Sequence, residues 1–377
     1  MKPGDGGKPY VLVVGGAGYI GSHMVKCLER AGYTPIVLDN LSQGRRSAVG
    51  DAQLIVGELG DSSVLDVIFQ AWPIAAVMHF ASFIQVGESV AQPATYYRNN
   101  VSNTVALLQA MVRHKVSRFI FSSTAAIFGN PEYVPIDEQH PKAPINPYGQ
   151  SKLMVEQILS DFDTAYGLRS CCLRYFNAAG ADPAGALGEC HEPETHLIPL
   201  VLQAAAGRRP SITVFGRDYN TPDGTCIRDY IHVNDLADAH LLALEALLSG
   251  AASMHFNLGN GEGYSINDVI EAARRVTGCE IVVTDGPRRP GDPARLVADP
   301  ALARNILGWR PQYADLDAIL QHAWAWEQQY ARWGQPAQLR PPVAAAAAPG
   351  ETATAAARSF AGGERRQVER RSLGLVR

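Results

Sequence analysis

The sequence predicts an α/β protein, a doubly wound parallel sheet followed by a smaller, mixed but mostly helical C-terminal lobe. Three observations lead there. Runs of β-branched and apolar residues recur at Tyr10–Val14, Pro35–Leu38, Ala76–Phe80, Arg118–Ser122 and Cys171–Tyr175, separated by stretches long enough for helices. The first run passes directly into a glycine-rich turn that opens a helix. After Gly180 the texture changes to Gly-, Pro- and His-rich loops, then to apolar-periodic segments around Leu236–Leu248 and Ile266–Val276.

The turn after Tyr10–Val14 reads Gly15-Gly16-Ala17-Gly18-Tyr19-Ile20-Gly21, and the following helix has apolar positions Ile20, Met24, Cys27, Leu28 and Ala31 on one face. Glycine is needed at Gly15 for the tight turn, at Gly18 so that backbone can approach a pyrophosphate, and at Gly21 for close helix–strand packing. The unpaired N–H groups of the helix start then face the phosphates. Asp39 stands 18 residues beyond Gly21 at the end of the next strand, where its carboxylate can accept both hydroxyls of a ribose. Turn and carboxylate together predict a Rossmann-type domain binding a dinucleotide. A 2′-phosphate would be repelled by Asp39 itself, so the expected cofactor is NAD rather than NADP, although Arg45 and Arg46 are close in sequence.

Further along, Phe121-Ser122-Ser123-Thr124 ends a strand with hydroxyls able to bond a substrate oxygen. Asn146 and Pro147 read as the N-cap and first residue of a helix that places Tyr148 and Lys152 one turn apart. On that spacing the ammonium is expected to stabilise a phenolate and draw the tyrosine pKa from about 10 toward neutrality, giving a general base.

Composition sets outer bounds. With 46% hydrophobic and 19% charged residues over 377 positions, the chain is globular rather than disordered. Its net charge is −4, and six Arg against three Glu beyond Ala344 leave −7 on residues 1–343, so no basic footprint for nucleic acid or an anionic membrane is present. Six Cys without CxxC or framework spacing suit a reducing compartment, and the apolar Val11–Val14 is broken by Gly15 and Gly16, too short for a secretory core; a cytoplasmic protein is expected. The expected organisation is a cofactor domain at 9–180, completed by segments within 228–265, a substrate lobe at 181–227 and 266–335, and a disordered tail at 344–377.

The loop at Gly15–Gly21, the hydroxyl of Thr124 and the Tyr148/Lys152 pair together resemble the extended short-chain dehydrogenase/reductase family, with its GxxGxxG loop, Ser/Thr and YxxxK. Within that family the similarity is to the UDP-hexose 4-epimerases and extends over about residues 10–335, carried also by Asp39-Asn40-Leu41, His79-Phe80-Ala81, Asn99-Asn100-Val101, Leu173–Asn177, Arg228–Val233 and Arg289–Asp292. The resemblance implies NAD-dependent interconversion of UDP-galactose and UDP-glucose, with Tyr148 taking the sugar 4-OH proton, a transient 4-keto sugar, Lys152 on the nicotinamide ribose and Thr124 on the 4-oxygen. It further implies cofactor contacts from Tyr19, Ile20, Asn40, Glu58, Leu59, Phe80, Ala81, Asn99 and Tyr175, and substrate contacts from Asn177, His196, Leu197, Arg228, Arg289, Asp292 and Leu296. The two arginines would hold the diphosphate. A homodimer and a UDP-sugar partner follow from the same resemblance.

Four positions depart from the family pattern. Glu58 stands where Asp is usual beside adenine, Ile84 where many members carry Lys, His196 where Asn precedes Leu197, and Leu296 where some members carry a bulky Tyr beside the sugar C2. The smaller Leu296 opens the expectation that UDP-N-acetylglucosamine is accepted; UDP-pentoses or uronates are further alternatives, as is a non-catalytic NAD sensor. Ala125 and Ala126 follow Thr124 where 4,6-dehydratases need acids, which disfavours elimination. His191-Glu192 and His196 form HExxxH, one residue too long for the helical HExxH zinc arrangement, so no metal is expected. His79 reads as a hydrogen-bonded core residue, and Phe128, Trp309, Trp324 and Trp326 as packing.

Overall fold

Alternation within the first strand sets the layers. In Tyr10–Val14 (β1), Val11 and Val13 enter one apolar core while Leu12 and Val14 enter another, the mark of a strand covered on both faces. The computed structural model describes residues 9–289 and 291–333, so the tail expected at 344–377 lies outside the described residues.

β1 is joined by Thr34–Asp39 (β2), Gln53–Val56 (β3), Ile74–His79 (β4), Arg118–Thr124 (β5), Arg169–Tyr175 (β6) and Met254–Leu258. All neighbours pair in parallel, in the spatial order Met254–Leu258, β6, β5, β4, β1, β2, β3. The chain therefore runs outward from β1 to β3, then crosses back to β4 on the other side of β1. That reversal is the switch point beside which open α/β sheets bind ligands, at the carboxyl ends of the strands. Tyr19–Arg30 (α1) and the Val233–Leu248 helix cover one face, and the helices Ser62–Ala71, Asn103–Arg113 and Pro147–Tyr166 the other.

The five expected strands are all present, with ends moved by one or two residues. Two strands of the sheet have no counterpart among them. Gln53–Val56 is a four-residue edge strand. In Met254–Leu258 the apolar run is interrupted by His255 and by the fully buried Asn257, whose amide donates to the Ile136 carbonyl at 2.9 Å.

A second core is built by the helices Leu197–Ala205, Ile266–Thr277 and Leu316–Trp333. Ile266–Thr277 opens on a reciprocal capping box between Ser265 and Asp268 and stops at Gly278 in the left-handed conformation. Two small sheets accompany it: Ile212–Phe215 pairs with Val283–Gly286, and Ile227–Arg228 lies between Tyr264–Ser265 and Arg295–Leu296. Among the described residues, no helix is long and apolar enough to cross a membrane.

Candidate active site

The site begins where β1 ends. Gly15 has φ +80°, and a Cβ there would lie 2.6 Å from the Ala81 nitrogen, so the turn packs directly on the chain leaving β4. At Gly21 a Cβ would come within 2.1 Å of the Gly15 carbonyl oxygen, which accounts for glycine at the helix–strand contact. Gly18 differs: its nearest neighbour would be 3.5 Å away, leaving the outer side of the turn open. Gly18 is also the N-cap of α1, with no side-chain cap and no acidic residue in the first turn. Donor groups with nothing competing for them, beside an open glycine, fit a dinucleotide pyrophosphate. Ile20 packs on the core, and the Tyr19 hydroxyl donates to the Gly180 carbonyl at 2.7 Å, tying the turn to the chain just after the short strand Asn177–Ala179.

Asp39 closes the cofactor side. Its Oδ2 accepts from the Ala17 amide at 2.9 Å and Oδ1 from the Leu41 amide at 2.8 Å, which fixes the carboxylate against the glycine turn with lone pairs still available for ribose hydroxyls. Asn40 donates to Glu58 at 3.2 and 3.3 Å. The Leu59 side chain is buried in the core, and Ile84 is exposed. Arg45 is turned away, donating to the Tyr330 hydroxyl at 2.6 Å and stacked over its ring. The amide of Phe80 donates to the Val14 carbonyl at 2.8 Å, so Phe80 and Ala81 sit across the switch point from the turn.

The hydroxyl strand divides its three side chains among different tasks. Ser122 meets the Tyr175 hydroxyl, and Ser123 donates to Glu156, itself paired with the buried Arg174 at 2.6 Å. Thr124, opposite Tyr175 in the sheet register, caps the short turn Ala125–Phe128, and its hydroxyl lies beside the Tyr148 phenol, where it favours the phenolate. Tyr148 and Lys152 stand on the Pro147–Tyr166 helix, which starts as expected with Asn146 accepting from the Gly149 amide at 2.9 Å.

Lys152 is 1% exposed and donates to the Ser82 hydroxyl at 2.8 Å and the Ser122 carbonyl at 2.7 Å, which leaves one of its three donors. Burial brings its pKa down to about 7, with Glu156 working in the opposite direction. The expected drop in the Tyr148 pKa is not found. Burial raises the phenol above its usual 10, only the adjacent Thr124 hydroxyl acts to lower it, and the ammonium is engaged with Ser82 and Ser122. Spacing of one helical turn put the two residues on one face but did not aim the cation at the phenol.

Spacing gave no sign of two residues that hold this cluster together. Ser82 receives Lys152, and the fully buried Asn100 joins the chain after β4 to the Tyr148 helix, accepting from the Phe83 amide at 2.9 Å and donating to Ser151 at 3.1 Å. Asn99 donates to the Asn100 carbonyl oxygen of the side chain at 2.9 Å. His79 is fully buried and bonded to Thr104 at 2.9 Å, as expected of a core histidine.

Arg228 is 9% exposed and pairs with Asp292 at 2.6 Å. Its neighbour Asp229 is fully buried and accepts from the amides of Asn260, Gly261 and Ala298, while the Asp229 carbonyl receives both the amide and the side chain of Asn177. Asp229 thus positions Arg228 beside Asn177. Leu296 lies opposite Arg228 and packs on Ala125–Phe128, the turn capped by Thr124. The Arg289 guanidinium lies 4.1 Å over the Phe215 ring. Leu197 begins its helix, and the His196 imidazole contacts the Glu189 carboxylate.

Comparison with known proteins follows the same lines. The model of the NAD dependent epimerase/dehydratase family matches residues 11–259. A UDP-glucose 4-epimerase of Halalkalibacterium halodurans is 52% identical over 85% of this chain and 96% of its own. The crystal structure of the UDP-glucose 4-epimerase from Brucella ovis in complex with NAD aligns with a TM-score of 0.82 at 50% identity, over 84% of this chain and 98% of that one. The UDP-Glc/GlcNAc 4-epimerase from Campylobacter jejuni aligns with a TM-score of 0.76 at 41% identity, over 85% and 100%.

Proposed function

The chain belongs to the NAD dependent epimerase/dehydratase family, and from that premise we propose that it epimerises a UDP-hexose at C4, interconverting UDP-galactose and UDP-glucose with bound NAD. The observation that carries this reading is Thr124 beside the Tyr148 phenol on the carboxyl side of the sheet, with the buried Lys152 one helical turn on and bonded to the Ser122 carbonyl. NAD supplies the acceptor and later the donor of a hydride. The open Gly18 and uncapped α1 would hold its pyrophosphate, and Asp39 a ribose.

In this mechanism Thr124 holds the sugar 4-oxygen while Tyr148 accepts its proton, as C4 is oxidised to a ketone. Lys152 offers its remaining donor to the ribose beside Tyr148 and, through the Ser122 carbonyl, holds the Tyr148 helix against the Thr124 strand. The 4-keto sugar then presents its other face, and Tyr148 returns the proton to the oxygen, so configuration inverts with no net redox change. Arg228 and Arg289 bind the diphosphate, Asp292 the uridine ribose, and Asn177, Leu197 and Leu296 line the sugar and uracil ends. Ala125 and Ala126 offer no acid to expel water from C5–C6, which separates the reaction from dehydration.

Residues 9–180, completed by segments within 228–265, serve the cofactor, and the segments 181–227 and 266–335 the nucleotide sugar. UDP-N-acetylglucosamine is a second substrate, supported by Leu296 on the Thr124 turn and by the UDP-Glc/GlcNAc specificity of the Campylobacter jejuni relative. Six free thiols support a cytoplasmic location, and the family resemblance a homodimer. Incubation of the NAD-loaded protein with UDP-galactose tests the reading: UDP-glucose should accumulate to equilibrium, and no conversion with NAD bound would leave a non-catalytic sensor in its place.

A further inference from the structure

Residues 189–196, between the end of the first domain and the Leu197–Ala205 helix, form an irregular loop from which four side chains converge. One oxygen each of Glu189 and Glu194 and one imidazole nitrogen each of His191 and His196 lie within 4.8 Å of one another. His191 Nδ1 is 3.2 Å from Glu189 Oε1 and 3.7 Å from Glu194 Oε2, and His196 Nδ1 also contacts Glu189. The imidazoles stand perpendicular, 5.3 Å between centroids.

The HExxxH spacing counts against zinc only on a helix. Here helix begins at Leu197, after the last of the four residues, so loop geometry sets the ligand positions. We propose that Glu189, His191, Glu194 and His196 form a divalent-cation site whose fitting occupant is zinc.

The donor set selects the metal. Magnesium and calcium prefer shells of six or more oxygens, whereas two imidazoles with two carboxylates match a closed tetrahedral zinc site. Bond lengths of about 2.0–2.2 Å place neighbouring ligand atoms roughly 3.3–3.6 Å apart, so the wider pairs need to close by about an ångström while the Glu189–His196 contact opens. Charge also balances: two carboxylates neutralise the cation, and the imidazoles bind as neutral ligands after releasing any proton to solvent. Outer contacts already orient the ligands. Glu194 Oε1 accepts from the amides of Thr195 and His196 at 2.7 and 2.9 Å, and the Glu189 carbonyl accepts from Trp326 at 2.9 Å. A cleft of about 260 Å³ bordered by Glu189, His191 and Glu194 gives a route of entry.

With all four positions taken by protein, the ion is structural. It fastens the loop that connects Tyr19 of the cofactor turn, whose ring meets the His191 edge at 6.4 Å, to the helix starting at Leu197. The inference does not depend on the epimerase reading, since its readout is metal content.

The test equilibrates the full chain with excess zinc, removes unbound metal by gel filtration and measures content by inductively coupled plasma mass spectrometry. About one zinc per chain is expected in the wild type and less than about a tenth in the double variant His191→Ala/Glu194→Gln, with circular dichroism confirming that the variant is folded. Cobalt loading of the wild type gives a second readout, visible bands of a tetrahedral nitrogen/oxygen shell without thiolate charge transfer. Less than about a tenth of a zinc per wild-type chain, full retention by the folded variant, or a thiolate band from Cys190 would each overturn the site.

Discussion

The Lys152 ammonium lies 2.7 Å from the carbonyl oxygen of Ser122, fastening the helix that carries Tyr148 to the strand that carries Thr124. One buried cation thereby fixes the distance between the two hydroxyl groups assigned to the sugar 4-oxygen.

Replacing it should separate positioning from cofactor retention. Lys152→Met is expected to lower kcat by about 10²-fold or more while NAD stays bound through the glycine turn and Asp39. Steady-state kinetics on the NAD-loaded variant, with bound NAD quantified after denaturation, check this. A variant with wild-type kcat would remove Lys152 from the mechanism.

The same residue gives a pH signature. Its folded pKa of about 7 lies below the ordinary lysine value, so between about pH 7 and 10 the unfolded chain binds the proton more readily than the folded one. For this group stability therefore increases as pH rises through that window and is lost as pH falls toward 7. In the cofactor-free protein, wild type should gain roughly 1–3 kcal/mol relative to Lys152→Met from pH 7 to pH 9. Urea unfolding at the two pH values measures the difference, and a pH-independent gap would contradict a strongly depressed lysine.

Two glycine variants distinguish packing from cofactor approach. Gly21→Ala places a methyl 2.1 Å from the Gly15 carbonyl, so both stability and NAD binding should fall. Gly18→Ala meets nothing closer than 3.5 Å in the protein, so its melting temperature without NAD should stay near wild type while NAD affinity drops at least about tenfold. Calorimetry with and without NAD reads both.

On the proposed reading, Leu296 sets the room beside the sugar. Leu296→Tyr should reduce kcat/KM for UDP-N-acetylglucosamine by about tenfold or more relative to UDP-glucose. The wild type should discriminate between the two by less than about 1,000-fold, near 4 kcal/mol. A larger wild-type preference for UDP-glucose would reject the broader specificity.

Most of the sheet and the cofactor turn was legible because the signals are local: apolar runs for five strands, Gly15–Gly21 for the turn, Asp39 at the end of β2. Met254–Leu258 was hidden because Asn257 pairs with the distant Ile136 rather than with its own segment. Thr124, Tyr148 and Lys152 were visible as residue types at fixed spacing, but their directions were not. Ser122 turns to Tyr175, Ser123 to Glu156, and Lys152 to Ser82, all contacts made between elements far apart in sequence. For that reason Lys152 does not draw down the Tyr148 pKa, which burial raises. The convergence of Glu189, His191, Glu194 and His196 was not legible for the opposite reason, since a helical rule was applied to a segment that is a loop.

The most direct measurement is single-turnover kinetics of Tyr148→Phe loaded with NAD and mixed with UDP-galactose. Removal of this one hydroxyl should slow formation of UDP-glucose by at least about 10²-fold with NAD content unchanged. Turnover at the wild-type rate would mean that another group takes the proton, and that the Thr124–Tyr148 pair is not where the chemistry occurs.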